Sequence, residues 1–239
     1  MAVDFADASV GLRGSPPVQR IERAARASAR KVAEALMPPS VVIWRGRPGT
    51  SESHAGRVAL TFDDGPDDMT PEYLSVLSGL GVRATFFVIG AQCAKKPKFV
   101  ARIAEAGHEL GAHGYTHRRF PSLRTRELLS ELRDTQAFLP KRLGRLLVRP
   151  PHGAVSMSSV LTCLRAGFTT VLWSRDSNDC RTDRSVDVVK SFEPLDVRRG
   201  DIVLFHEGQR WTVEALPAVV GQLREAGHAL VTVGELLDG

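Results

Sequence analysis

The sequence predicts an α/β fold of parallel strands covered by helices, and three observations predict it. From Arg57 onward, short β-rich runs alternate with helical patterns, and regular alternation of this kind places helices outside a parallel sheet. Several helical patterns close on glycine just before the next apolar run, as in LSGLGV, EAGHEL, RAGFTT and EAGHAL; glycine fits the left-handed position past a helix end. Finally, the residues that follow the strands are polar and ionisable where the strands are apolar. That is the pattern of a site built beyond the carboxyl ends of parallel strands. Seven such units fit an open doubly wound sheet or a closed barrel.

The elements follow in order. RVALTF is the first strand, ending at Asp63-Asp64, and a helix over Pro71 to Leu80 comes next. Thr70 supplies a hydroxyl N-cap and Pro71 the first turn. RATFFVIG precedes a helix over Lys98 to Ala106, and HELGAHG, carrying His113 with His117 just beyond, precedes one over Arg124 to Leu139. RLLVRP leads into Arg149 to Gly153 and a helix over Ser156 to Ala166. TTVLWSRD runs into Asp176 to Asp179 before a helix over Ser185 to Phe192. DIVLFHE ends at His206-Glu207, a helix spans Val213 to Ala226, and HALVTV closes the series.

Residues 57–239 therefore read as one domain, and 1–56 as an extension. Within the extension, PPVQRIERAARASARKVAEALMPP is bracketed by proline pairs, with Val18, Ile21, Ala25, Val32 and Leu36 marking an apolar stripe on an Arg-rich helix. We expect that helix on the outside or bottom of the domain, with peripheral contact to a membrane surface or partner as the alternative. The formal net charge is +5, and Met1 to Arg57 hold nine Arg or Lys against five Asp or Glu. The domain itself is thus close to neutral, which argues against nucleic acid as a partner. No apolar run reaches the ~20 residues of a membrane-spanning helix. Met1 to Ser15 lack a basic start followed by an apolar core, so no export signal is visible and the chain as given reads as cytoplasmic. Cys93, Cys163 and Cys180 are read as free thiols, with Cys180 expected to be packed.

Two stretches carry chemistry. In TFDDGP, Asp63 and Asp64 are adjacent carboxylates that repel when both are ionised, so the pair is either a solvated turn or faces a cation. In HGYTH, a fully extended chain would hold His113 and His117 about 13 Å apart, too far to share an ion with ~2.0 Å bonds to nitrogen. The chain must curl after His113, and Gly114 permits it. Two imidazoles and one carboxylate form a donor set typical of catalytic zinc. Taken alone, HxxxH reads as a surface turn with solvated histidines and DDGP as an ordinary turn.

Together, these stretches resemble the polysaccharide deacetylase family, also called the NodB-homology domain or carbohydrate esterase family 4. TFDDGP matches its first motif and HGYTH the histidine pair of its second. RPPHG at Arg149 to Gly153 resembles the third, with His152 where tyrosine is usual; DSNDC at Asp176 to Cys180 resembles the fourth, with Cys180 in place of tryptophan. LFH at Leu204 to His206 matches the fifth. The resemblance implies a distorted (β/α)7 TIM-like barrel that removes acetyl groups from N-acetylated sugars using one divalent metal ion, zinc foremost, with cobalt or manganese as alternates. Carried over, Asp64, His113 and His117 bind the metal, Asp63 is the general base and Arg149 orients it. His206 is the general acid, Asp179 tunes it, and Leu204 lines the acetyl pocket. A backbone N–H near His152 helps hold the oxyanion.

The replacements at 152 and 180 remove flat faces on which sugar rings rest, so they bear on substrate choice. His152, Tyr115 and Trp173 are expected along the substrate groove. The implied partner is an acetylated carbohydrate. Two other readings share the barrel: an O-acetyl esterase using the same site, and a non-catalytic carbohydrate-binding relative. The latter would show loss of Asp63, Asp64 or a motif histidine, and none is lost. Members of the family are often secreted or envelope-associated.

Overall fold

The computed structural model describes residues 2–3, 37, 41–46, 56–140, 145–192 and 197–238. The basic helix expected between Pro16 and Pro39 lies, apart from Met37, outside them, and so does its peripheral contact. In chain order the strands are β1 (Ala2–Val3), β2 (Val42–Ile43), β3 (Gly56–Asp63), β4 (Thr85–Val88), β5 (Glu109–Ala112), β6 (Leu146–Val148), β7 (Val155–Ser156), β8 (Phe168–Val171), β9 (Arg175–Asp176), β10 (Ile202–His206) and β11 (His228–Val231). The α-helices are α1 (Thr70–Gly79), α2 (Gly90–Lys95), α3 (Pro97–Glu105), α4 (Thr125–Gln136), α5 (Met157–Arg165), α6 (Ser185–Lys190), α7 (Arg210–Glu225) and α8 (Val233–Asp238).

Nine strands form one parallel sheet in the order β2-β8-β6-β5-β4-β3-β10-β9, with β11 also paired to β3. The sheet curls into an open, distorted (β/α) barrel flanked by helices. Its core has two sides because side chains alternate along each strand. Val58, Leu60 and Phe62 of β3 pack with Tyr73, Leu77, Leu216 and Val220 of the covering helices. The intervening Ala59 meets Phe87, Leu147, Val171 and Ile202 inside the barrel, and the same alternation carries Thr61 and Asp63 onto that inner face.

Register at the site end is reinforced by an aromatic row. Phe62 stacks on Phe86 of β4 at 5.1 Å and on Phe205 of β10 at 5.4 Å, with Tyr73 edge-on at 5.4 Å. Such pairs contribute roughly 0.5–1.5 kcal/mol each beyond their burial. One residue further along, the ladder sets Asp63 level with His206.

Several elements differ from the sequence reading. TTVLWSRD is not one strand: Phe168–Val171 pairs with β6 and β2, and the chain then crosses to pair Arg175–Asp176 with β10. Thr70 is not the cap of α1; Met69 holds that position. The Thr70 hydroxyl instead accepts from the Asp67 amide at 2.8 Å and donates to Glu207 Oε1 at 2.7 Å. Helix α2 was not expected, because six residues without apolar periodicity are too short to leave a pattern. Helix α8 was also missed, although Thr232 and Glu235 bond each other's amides as a capping box. Within the 1–56 segment, β2 adds to the sheet beside β8, and Met37 and Trp44 pack with Val155, Val160 and Leu172.

Candidate active site

The two adjacent aspartates have separate partners. At the end of β3, Asp63 is buried and its Oδ1 accepts from Arg149 Nη1 at 2.7 Å. Arg149 is fully buried, and Nη1 also donates to Thr61 Oγ1 at 2.7 Å while Nη2 donates to the Leu172 carbonyl at 3.1 Å. Its guanidinium lies 4.2 Å from the centre of the Phe87 ring, so the charge is held by oxygens at its edge and an aromatic face beneath. Asp64 has φ 75, a left-handed conformation unusual for a residue with a side chain. That turn lets its carboxylate face the histidines instead of Arg149.

The curl expected between the histidines is present: Gly114 has φ 73 and His117 φ 59. His113 is buried, and its Nδ1 lies 2.8 Å from the Arg149 carbonyl. A carbonyl only accepts, so Nδ1 carries the hydrogen and the Nε2 lone pair points into the site. Asp64 Oδ1 lies 3.4 Å from His113 Nε2 and 3.0 Å from His117 Nε2. It is buried and has no hydrogen-bond partner. One donor atom from each of Asp64, His113 and His117 falls within 4.8 Å of the other two. An unpaired carboxylate oxygen facing two imidazole nitrogens, one with its tautomer fixed by a backbone carbonyl, fits a divalent cation with nitrogen and oxygen ligands.

On the neighbouring strand, His206 Nδ1 lies 2.8 Å from Asp179 Oδ1, and its backbone N–H donates to Asp179 Oδ2 at 2.8 Å. Asp179 is fully buried and also accepts from Thr212 Oγ1 at 3.0 Å. Trp211 Nε1 braces its carbonyl at 2.8 Å. Burial alone would lower the His206 pKa; the Asp179 hydrogen bond and charge outweigh that and raise it to about 10. The imidazole is therefore a cation at neutral pH. Asp179, Cys180 and His206 also bring donor atoms within 4.8 Å, but the Asp179 oxygens are already engaged by His206 and Thr212.

The structure thus brings Asp63, Asp64, His113, His117 and Arg149 together and sets the His206–Asp179 pair beside them. His152 stands next to His117, with ring centres 4.6 Å apart and φ 59. Burial, then the His117 and Arg119 charges, push its pKa down. Leu204 is buried two residues before His206 on the same strand face. The Tyr115 ring turns toward Gly90, where a Cβ would sit 2.4 Å from its Cδ2. Trp173 flanks the Arg149 guanidinium at 5.7 Å. Cys180 is exposed, correcting the expectation of a packed thiol, whereas Cys93 and Cys163 are buried; its loop turns outward beside left-handed Asn178.

Sequence reasoning missed several supports. Thr61 was legible, since alternation places it on the face of Asp63. Glu207, next to His206, is buried, and its amide donates to the Asp63 carbonyl at 2.9 Å. Its Oε2 would lie 1.4 Å from a Cβ at Gly65, so the tight turn after Asp64 needs glycine there. Burial raises the Glu207 pKa to about 8 and keeps the carboxyl largely neutral at pH 7. Thr212 came without a sequence signal.

Comparison with known proteins agrees with this geometry. Residues 50–171 match the family model described as polysaccharide deacetylase. A peptidoglycan-N-acetylglucosamine deacetylase of Bacillus cereus is 35% identical over 187 residues, covering 75% of this chain and 87% of that protein. The peptidoglycan-N-acetylglucosamine deacetylase PgdA of Listeria monocytogenes is 30% identical over 231 residues, covering 95% of this chain and 48% of that longer protein. Among solved structures, the Bc1960 peptidoglycan N-acetylglucosamine deacetylase, in complex with a naphthalenyl N-oxidanyl-benzamide, superposes with a TM-score of 0.75 at 28% identity, covering 83% of this chain and 93% of that one. The chain belongs to the polysaccharide deacetylase family, carbohydrate esterase family 4, and is a hydrolase of the type that acts on the amide bonds of N-acetyl sugars.

Proposed function

We propose that the chain removes the acetyl group from N-acetylglucosamine residues of a peptidoglycan-type glycan, with one zinc ion held by Asp64, His113 and His117. The observation that carries this reading is the buried, partnerless Asp64 Oδ1 facing two imidazole nitrogens, with a second carboxylate, Asp63, separately held by Arg149. The substrate follows from the names of the relatives, which act on peptidoglycan N-acetylglucosamine.

When bound, zinc lowers the pKa of a water ligand and polarises the acetyl carbonyl. The remaining chemistry falls to the chain. Asp63 takes the proton of the attacking water at Oδ2, since Oδ1 is committed to Arg149. Arg149 fixes the orientation of that carboxylate. The backbone N–H at His152 donates to the oxyanion, a role independent of the side chain present. His206, charged through Asp179, gives its Nε2 proton to the departing nitrogen as the carbon–nitrogen bond breaks. Acetate and a free amino sugar leave. Leu204 offers an apolar wall to the acetyl methyl group.

The test is acetate release from N-acetylated peptidoglycan fragments, chitooligosaccharides and acetylated xylan, before and after chelation. Release from the peptidoglycan fragments, lost on chelation and restored by zinc, is expected. Preference for acetylated xylan would instead establish an O-acetyl esterase. Activity that survives prolonged chelation would overturn the metal role.

A further inference from the structure

Among the buried carboxylates of the described residues outside the proposed machinery, Glu131 is the one that touches the histidine loop. It lies on α4 among the buried Leu128, Leu132 and Thr135 and is 7% exposed. A carboxylate on an apolar helix face is costly unless hydrogen bonds replace its water. Here Oε2 accepts from the Tyr115 amide at 2.5 Å and the Thr116 amide at 2.7 Å, and Oε1 accepts from the Thr116 hydroxyl.

All three donors belong to the segment between His113 and His117. The carbonyls of that segment are tied as well, because Gly114 O accepts from the Gly90 amide at 2.9 Å and Tyr115 O from the Ala91 amide at 3.0 Å. The loop is thereby clamped from both sides, by α4 and by the first turn of α2. The clamp sustains a strained result: His117 has φ 59, a conformation that costs on the order of 1–3 kcal/mol for a residue with a side chain. That strain places His117 Nε2 3.0 Å from Asp64 Oδ1.

We infer that Glu131 is a positioning residue for the metal, its carboxylate fixing the curl that brings His117 to the ion. This rests on the metal reading proposed above. Glutamine at 131 keeps the shape but offers one acceptor oxygen, and it turns an amide donor toward a backbone or hydroxyl donor.

The experiment measures the zinc dissociation constant of folded protein by competition with a chromophoric chelator, well below the thermal midpoint. Four proteins are compared: wild type, Glu131→Gln, Thr116→Val and Leu132→Ala. Partners that orient metal ligands typically contribute about 10–100-fold to affinity, and that loss is expected for Glu131→Gln. Thr116→Val, which removes one of the three contacts, should fall between it and wild type. Leu132→Ala opens a cavity on the same helix, so its midpoint should drop while its zinc affinity stays within about twofold. Equal zinc affinity in Glu131→Gln and wild type would overturn the inference. So would a loss in Leu132→Ala as large as that in Glu131→Gln. A wild-type chain that binds no divalent ion would overturn the metal reading itself.

Discussion

Asp179→Asn isolates the charge that makes His206 an acid. Asparagine keeps the size of the side chain and one oxygen to accept from the His206 backbone N–H and the Thr212 hydroxyl, but it removes the negative charge and turns an amide N–H toward His206 Nδ1. The imidazole stands at about 10 against an ordinary 6.5, a gap of about 3.5 pH units, worth on the order of 5 kcal/mol at ~1.36 kcal/mol per unit. Without the Asp179 hydrogen bond and charge, the two largest influences that raise it, the variant imidazole should settle near its ordinary 6.5. At pH 8 the protonated fraction would then fall from nearly all molecules to about 3%, roughly a thirtyfold loss of competent acid. The assay is kcat/KM for acetate release across pH, alongside an NMR titration of the His206 ring. The basic limb assigned to His206 should move down by about 3.5 pH units.

Stability should respond in the same direction. A folded pKa raised above the unfolded one contributes stability that is fully present below about 6.5 and lost as pH climbs through about 10. Wild type should therefore weaken across that window more steeply than the variant. An Asp179→Asn protein whose His206 ring stays protonated at pH 8, with its basic limb unmoved, would refute the reasoning.

Three further outcomes are expected. Asp63→Asn should keep its zinc and lose about 10²–10⁴-fold in turnover, whereas His113→Ala should lose the zinc; equal metal content by mass spectrometry would contradict that division. Arg149→Met leaves Asp63 buried without its cation and should cost about 3–5 kcal/mol of stability, measurable by denaturant unfolding; a change below about 1 kcal/mol would mean that Asp63 finds other partners. Gly65→Ala drives a methyl into Glu207 Oε2, so Glu207→Ala in the same chain should recover most of the lost stability, and an additive double variant would refute that contact.

The site was more legible than the elements around it. Asp63, Asp64, His113, His117, Arg149, Asp179 and His206 fall at strand ends, where composition switches abruptly from apolar to ionisable, and the family resemblance singled them out within those stretches. The parallel topology followed from the alternation of β-rich runs with helical patterns. What escaped depends on three-dimensional partners. The bend after Val171 arises because one run serves two neighbours, β6 and β10, which alternation within the run does not reveal. Thr70 resembles a helix cap in sequence but is drawn to Glu207, far along the chain. Glu131 did leave a trace, a charge on the apolar stripe of α4, yet the pattern does not say which donors await it.

The level pairing of Asp63 with His206 has a consequence for how this enzyme can diverge. Adjacent strands stand about 4.8 Å apart whatever their loops do, so the separation of proton acceptor and proton donor is inherited from the backbone. The side chains at 152 and 180 hang from segments outside that ladder, so under the substrate reading proposed above they can vary while that separation stays fixed. A laboratory search for altered glycan preference should begin at those two positions and leave the strand tips alone.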